Sequence, residues 1–116
     1  MTLDGLTLEH DPMRDGLILA FGEIELGHDD DVLIARGSPG GVWAEPVTLT
    51  LYDAGEPLGD ATIVHTGRLV DIITAMDRRH HYFDVEADPG AAHEYRVYPL
   101  TAIGIYGAPV SATWEP

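Results

Sequence analysis

Asp88-Pro89-Gly90-Ala91-Ala92-His93-Glu94-Tyr95-Arg96-Val97 is the stretch whose reading decides the fold. Asp-Pro-Gly is turn chemistry: Asp bonds its own backbone, Pro presets φ, and Gly tolerates a positive φ. A strand follows, read from Glu94 to Ile103. Just upstream, Tyr82 to Ala87 alternates, and the pattern predicts that Phe83, Val85 and Ala87 face inward. Just downstream, the last strand runs from Pro109 to Trp114. Strands this short, punctuated by turns this often, mark an all-β chain; 13 Gly and 8 Pro supply the punctuation.

The same rhythm extends toward the N-terminus. Leu17 to Leu26 reads as a strand with Leu17, Leu19 and Phe21 on one face. Glu23 and Glu25 continue that face while Ile24 and Leu26 take the other, so the core-facing side switches near Gly22, as at a bulge. Gly27 to Asp31 is a polar turn, Val32 to Ala35 a short buried run, and Gly37-Ser38-Pro39-Gly40-Gly41 a loop. Val47 to Tyr52 alternates most cleanly of all. It predicts a half-buried strand with Val47, Leu49 and Leu51 on one face and Thr48, Thr50 and Tyr52 on the other. Ala61 to Thr66 and Leu69 to Ile73 read as further strands. Asp71 to Arg79 fits either a single helical turn through Ile72, Ala75 and Met76 or a strand and loop. Residues 1–15, with Leu3, Leu6 and Leu8, are either an arm laid on a neighbouring subunit's sheet edge or an ordinary first strand.

The Pro-Gly turn leading into Tyr95-Arg96-Val97 resembles the approach of fibronectin type III domains to their penultimate strand. Ala102-Ile103-Gly104-Ile105-Tyr106-Gly107-Ala108-Pro109-Val110-Ser111 is similar to the last hairpin of that family. The resemblance covers roughly residues 80 to 116. It implies an immunoglobulin-like, fibronectin type III-like antiparallel β-sandwich of about seven strands, here residues 16–116. It also implies that Tyr95 is the tyrosine corner, its hydroxyl bonding back to nearby backbone. Two features depart from the family. Pro99 lies inside the Tyr95 strand, which requires a bulge or edge position there. The Trp usual on an early strand has no counterpart, since Trp43 follows the glycine loop.

Composition bounds the function. The 116 residues suit one domain, and the absence of Cys removes disulfides, thiolate metal sites and cysteine nucleophiles. Twenty acids face six bases, all arginine (Arg14, Arg36, Arg68, Arg78, Arg79, Arg96), for a net charge of -14. There is no Lys, Asn or Gln. Such a surface repels phosphates and anionic lipid, which argues against nucleic acid and membrane as partners. It fits a salt-loving host, a high-GC genome, or both. No apolar run reaches the ~20 residues that span a bilayer. The acidic start lacks the pattern of a secretory signal, so the expectation is a protein made in the cytoplasm of its host without a signal peptide.

Candidate sites are few. His28, Asp29 and Asp31, with Asp30 between, offer oxygen ligands to a hard cation, or simply a solvated acidic turn. Arg78 and Arg79, beside His80 and His81, form the one cationic cluster and suit contact with acidic surface, in this chain or a neighbouring copy. Trp43, Tyr52, Tyr82 and Tyr106 offer stacking faces to a sugar, although sugar sites usually also use Asn and Gln amides. Ser38 and Ser111 sit in no nucleophile elbow, and the glycine loop lacks the Lys and helix of a phosphate cradle. No cofactor is expected. The function these features favour is a non-enzymatic assembly protein of a virion, a capsid decoration or tail component of a tailed virus. Its partners would be itself, as a homo-oligomer, or a shell or tail protein, through residues including Arg78, Arg79, Trp43 and Tyr106. The alternative is a cell-surface adhesion or carbohydrate-binding module excised from a larger protein.

Overall fold

The computed structural model describes residues 5–23, 31–68, 79–100 and 103–116. Eight strands appear among them: β1 (Leu6–Asp11), β2 (Gly16–Glu23), β3 (Asp31–Gly37), β4 (Pro57–Leu58), β5 (Ala61–Arg68), β6 (Arg79–Asp84), β7 (His93–Leu100) and β8 (Val110–Trp114). They form two antiparallel sheets, ordered β1-β2-β6 and β4-β5-β3-β7-β8. No helix occurs among the described residues.

Residues 6–11, for which an arm and a first strand were both open, pair with β2 from Leu6↔Phe21 to Asp11↔Gly16. The turn between them is held by Asp11. Its carboxylate accepts the N–H groups of Met13 (3.0 Å) and Arg14 (3.3 Å) and the Arg14 guanidinium (2.8 Å). Asp15 takes the left-handed φ of 55° that closes it, a conformation Asp tolerates better than most residues. The bulge expected at Gly22 is present: the β2–β6 register shifts between Phe21 and Glu23, and Gly22 has φ 59°.

The inner faces of the two sheets meet in one core. Leu6, Leu17, Leu19 and Phe21 come from the smaller sheet, Val32, Ile34, Tyr95 and Val97 from the larger, and Ala87 from the turn after β6. Leu17, Leu19 and Phe21 share a face because side chains alternate along a strand. A second core lies on the opposite face of the larger sheet. Leu33, Ala35, Leu58, Ala61, Ile63 and Tyr98 are buried there beneath Trp43, Tyr52 and Tyr106. Strand β3 feeds both cores, which is why Val32 to Ala35 reads as an unbroken apolar run.

Two expectations need correction. Residues 47–52 form no strand. Val47 (60%), Leu49 (72%) and Leu51 (91%) are exposed, and Leu49 has φ 65°, outside any strand conformation. Alternation fits a strand equally well with either face inward, so it did not reveal that Tyr52, and not the apolar residues, packs on the sheet. In β6 the phase is also reversed. Tyr82 and Asp84 lie opposite the buried Leu19 and Leu17, whereas Val85 is exposed. The strand ends at Asp84, and the turn closed by Ala87 N–H to the Asp84 carbonyl (3.4 Å) brings Ala87 inward off the strand period. Pro99 takes the edge position of the two alternatives, where β7 runs past the end of the β8 ladder. Its carbonyl accepts the Gly107 N–H (2.8 Å) on the β8 side, beyond the last β7–β8 pair, Val97↔Val110. The missing N–H falls on that same side, where no ladder partner is lost.

Candidate functional site

The outer layer of the larger sheet presents the most distinctive surface. Residues 47–52 are fastened to residues 104–106 by a small set of bonds. Leu49 N–H donates to the Gly104 carbonyl (3.0 Å) and Thr50 N–H to the Val47 carbonyl (3.1 Å). The Tyr106 hydroxyl donates to the Thr50 carbonyl (2.8 Å), and the Tyr52 hydroxyl accepts the Val47 N–H (2.9 Å). The two tyrosine rings meet edge to face at 6.1 Å, a favoured aromatic geometry. Gly104, at φ 86°, leaves room for Leu49: a Cβ there would lie 3.2 Å from the Leu49 side chain and 3.4 Å from its Cα.

This arrangement turns apolar side chains outward. Val47, Leu49 and Leu51 are joined on the exposed surface by Ile103 (68%) and Ile105 (43%), which flank the glycine that Leu49 bonds. A non-glycine residue in the left-handed region carries about 1–2 kcal/mol of strain. Leu49 is held in it while gaining little burial.

Beside this surface lies a pocket of about 150 Å³, lined by Asp31, Leu33, Leu51, Tyr52, Leu100 and Tyr106 among others. The Asp31 Oδ1 atom is buried and has no hydrogen-bond partner. A larger cavity, about 400 Å³, opens on the other side of the larger sheet between β5 and β6. At its floor Arg36 pairs with Asp84, and the fully buried Tyr95 hydroxyl donates to the same carboxylate (2.7 Å). Burial works against the Arg36 charge, but the hydrogen bond and attraction from Asp84 outweigh it and raise the pKa. Burial, then the Asp84 charge, push the Tyr95 phenol far above its ordinary range. The Tyr82 phenol is raised mainly by burial, and its hydroxyl donates across the gap between the sheets to the Val64 carbonyl (3.1 Å). These groups tie one another down, which gives the cavity floor a structural role.

The residues singled out from sequence fall in several places. Tyr95 is buried at the expected strand, but its hydroxyl meets the Asp84 carboxylate rather than backbone. The reason is the reversed phase of β6, which brings Asp84 into the interior. The Arg96 guanidinium lies over the Trp43 ring at 4.4 Å, and Arg96 also bonds Glu94 (3.2 Å). Tyr106 and Tyr52 pack on each other, and Tyr82 lies 5.1 Å from His65. Arg79 opens β6 opposite Glu23. Arg78, His28 and Asp29 lie outside the described residues, as do Leu3, Ile24 to Asp30 and Leu69 to Asp77. Among the described residues, no group of three or more His, Asp or Glu is placed to hold a metal ion. The exposed row at Val47, Leu49 and Leu51 was missed because its alternation was read as a half-buried strand. The signal that distinguishes it is the tyrosine at the end of the polar face, which needs a hydroxyl partner when packed inward.

Compared with known proteins, the chain matches no family model, no curated protein and no solved structure.

Proposed function

We propose that the chain is a non-enzymatic docking domain, an immunoglobulin-like sandwich of the fibronectin type III kind that works by contact inside a larger assembly. The strand order supports the fold assignment. The sheet β1-β2-β6 and the run β3-β7-β8 follow the A-B-E and C-F-G arrangement of such sandwiches. Tyr95 stands on the penultimate strand, where the family's tyrosine belongs. The observation that carries the function is the exposed apolar row Val47, Leu49, Leu51, Ile103 and Ile105, fixed in place by Tyr52 and Tyr106. Apolar side chains grouped and braced in this way mark interaction surfaces.

The setting we propose is a virus particle, with this domain as a decoration or tail component bound to itself or to a shell or tail protein. The acidic, lysine-free composition supports a protein rather than a nucleic acid or an anionic membrane as the partner. Sedimentation with particles from an infected host, together with native mass at low and at molar salt, tests this. A defined oligomer or a particle-bound fraction, lost in the double variant Leu49→Ser/Leu51→Ser, is expected. A chain that is monomeric at both salts and absent from particles contradicts it.

A further inference from the structure

We infer that the outer layer takes a basic side chain of a protein partner, a lysine or arginine flanked by apolar residues, into the pocket at Asp31. The inference rests on the docking reading and adds the chemistry of the partner. Its starting point is the buried Asp31 Oδ1 without a hydrogen-bond partner. A carboxylate oxygen only accepts, and a buried acceptor left without a donor is costly. A cationic donor satisfies it best, because charge-assisted hydrogen bonds are roughly twice as strong as neutral ones.

The pocket walls suit the rest of such a side chain. Leu33, Leu51, Leu100, Tyr52 and Tyr106 line the space of about 150 Å³ next to Asp31. Lysine and arginine lay their aliphatic stems along apolar walls while the charged head reaches a polar group. Leu51 belongs both to the pocket and to the exposed row. The pocket therefore opens into the apolar face, and residues beside the basic anchor would meet Leu49 and Ile103.

Charge decides between a second copy and a different protein. Each copy carries a net charge of -14. The same loop adds Glu45, Asp53 and Glu56, all exposed. Two such faces repel, whereas a basic partner is attracted and oriented by the same field. Among the described arginine side chains, Arg14, Arg36 and Arg96 are already paired with acids of their own chain. The net charge therefore favours, as the occupant, a heterologous protein presenting lysine or arginine between apolar residues.

The test uses the full chain and two blocked tripeptides, acetyl-Leu-Arg-Leu-amide and acetyl-Leu-Gln-Leu-amide, titrated while backbone amide NMR shifts are followed. The arginine peptide should shift Leu51, Tyr52 and Tyr106 and bind about tenfold tighter than the glutamine peptide. Asp31→Asn, which keeps the side-chain shape, should abolish that difference. Leu51→Ser should weaken the arginine peptide about threefold or more. Equal binding by both peptides overturns the basic anchor and leaves the docking face standing. Shifts confined to another surface, or none with either peptide, overturn the anchor, and particle binding then decides the docking reading separately. A native mass that rises with concentration and falls back in Asp31→Asn makes the occupant a second copy and overturns the heterologous partner.

Discussion

The two faces of the larger sheet are covered by different means. On the inner face a second sheet supplies the cover, and apolar side chains from β1, β2, β3 and β7 interlock in ordinary strand geometry. On the outer face the cover is loop, residues 38–56 and 103–109. It is held by a hydrogen bond that the Tyr106 hydroxyl donates, one that the Tyr52 hydroxyl accepts, and one donated by the N–H of a left-handed leucine. A core between sheets depends on collective burial, so its loss is global. A loop layer depends on a few named bonds, so it can open by itself, and it can present side chains outward that a sheet would have to bury.

That contrast can be broken or sharpened by substitution. The largest effect is expected at the inner face. Arg36→Met leaves the Asp84 carboxylate buried beside Tyr95 without its cation, and should lower unfolding free energy by about 3 kcal/mol. Urea denaturation should show a lower midpoint with an unchanged slope. Next comes Gly59→Ala, where the loop crosses the outer face. A Cβ there would lie 2.5 Å from Ala44 N and from Val42 O, and the residue has φ 67°. The expected loss is about 2 kcal/mol, measured in the same way. A midpoint shift in Gly59→Ala as large as that in Arg36→Met would show that the two faces unfold as one.

A smaller and more local change is expected from Tyr106→Phe, which removes one bond to the Thr50 carbonyl. It should lower the free energy of opening the outer layer by about 1 kcal/mol. It should also speed amide exchange at Leu49 and Thr50 while leaving Ile34 and Val97 unchanged. The pH dependence is smaller again and belongs to the β1–β2 turn. The hydrogen bond from the Arg14 guanidinium, helped by backbone donors, holds the Asp11 carboxyl below its ordinary value of 3.8. A depressed carboxylate adds stability that is present above the unfolded pKa and is lost as pH falls through the lower folded one. Wild-type melting temperature should therefore drop below about pH 4 more steeply than that of Asp11→Asn. Parallel curves would show that the turn contributes nothing.

The inner face was legible in the sequence for a physical reason. Leu17, Leu19 and Phe21 alternate along one strand, Val32 to Ala35 is too apolar for an edge, and Asp88-Pro89-Gly90 ends one element before Tyr95 begins another. Sheet packing imposes period two on a sequence, and period two can be read back. The outer face imposes no period. Val47 to Leu51 alternates, but which side faces the sheet depends on where the Tyr52 and Tyr106 hydroxyls find backbone partners, some of them far along the chain. Asp84 shows the same limit. Nothing local marks it as a buried carboxylate, because its partners Arg36 and Tyr95 arrive from β3 and β7. Asp31 was read as one of three acids in a turn. Its significance lies in the pocket formed by Leu51 and Tyr106, distant segments that only the fold brings together.

Residue-resolved native-state hydrogen exchange on the free protein tests the central claim most directly, that the outer layer is a built and separately held surface. The account predicts three behaviours. Amides of Leu19, Ile34 and Val97 should exchange only through global unfolding. Those of Leu49 and Thr50 should be protected, but through openings that need clearly less free energy. Exposed loop amides without partners should exchange fast. Leu49 and Thr50 exchanging at the rate of an unstructured chain, or only with the global core, would contradict it.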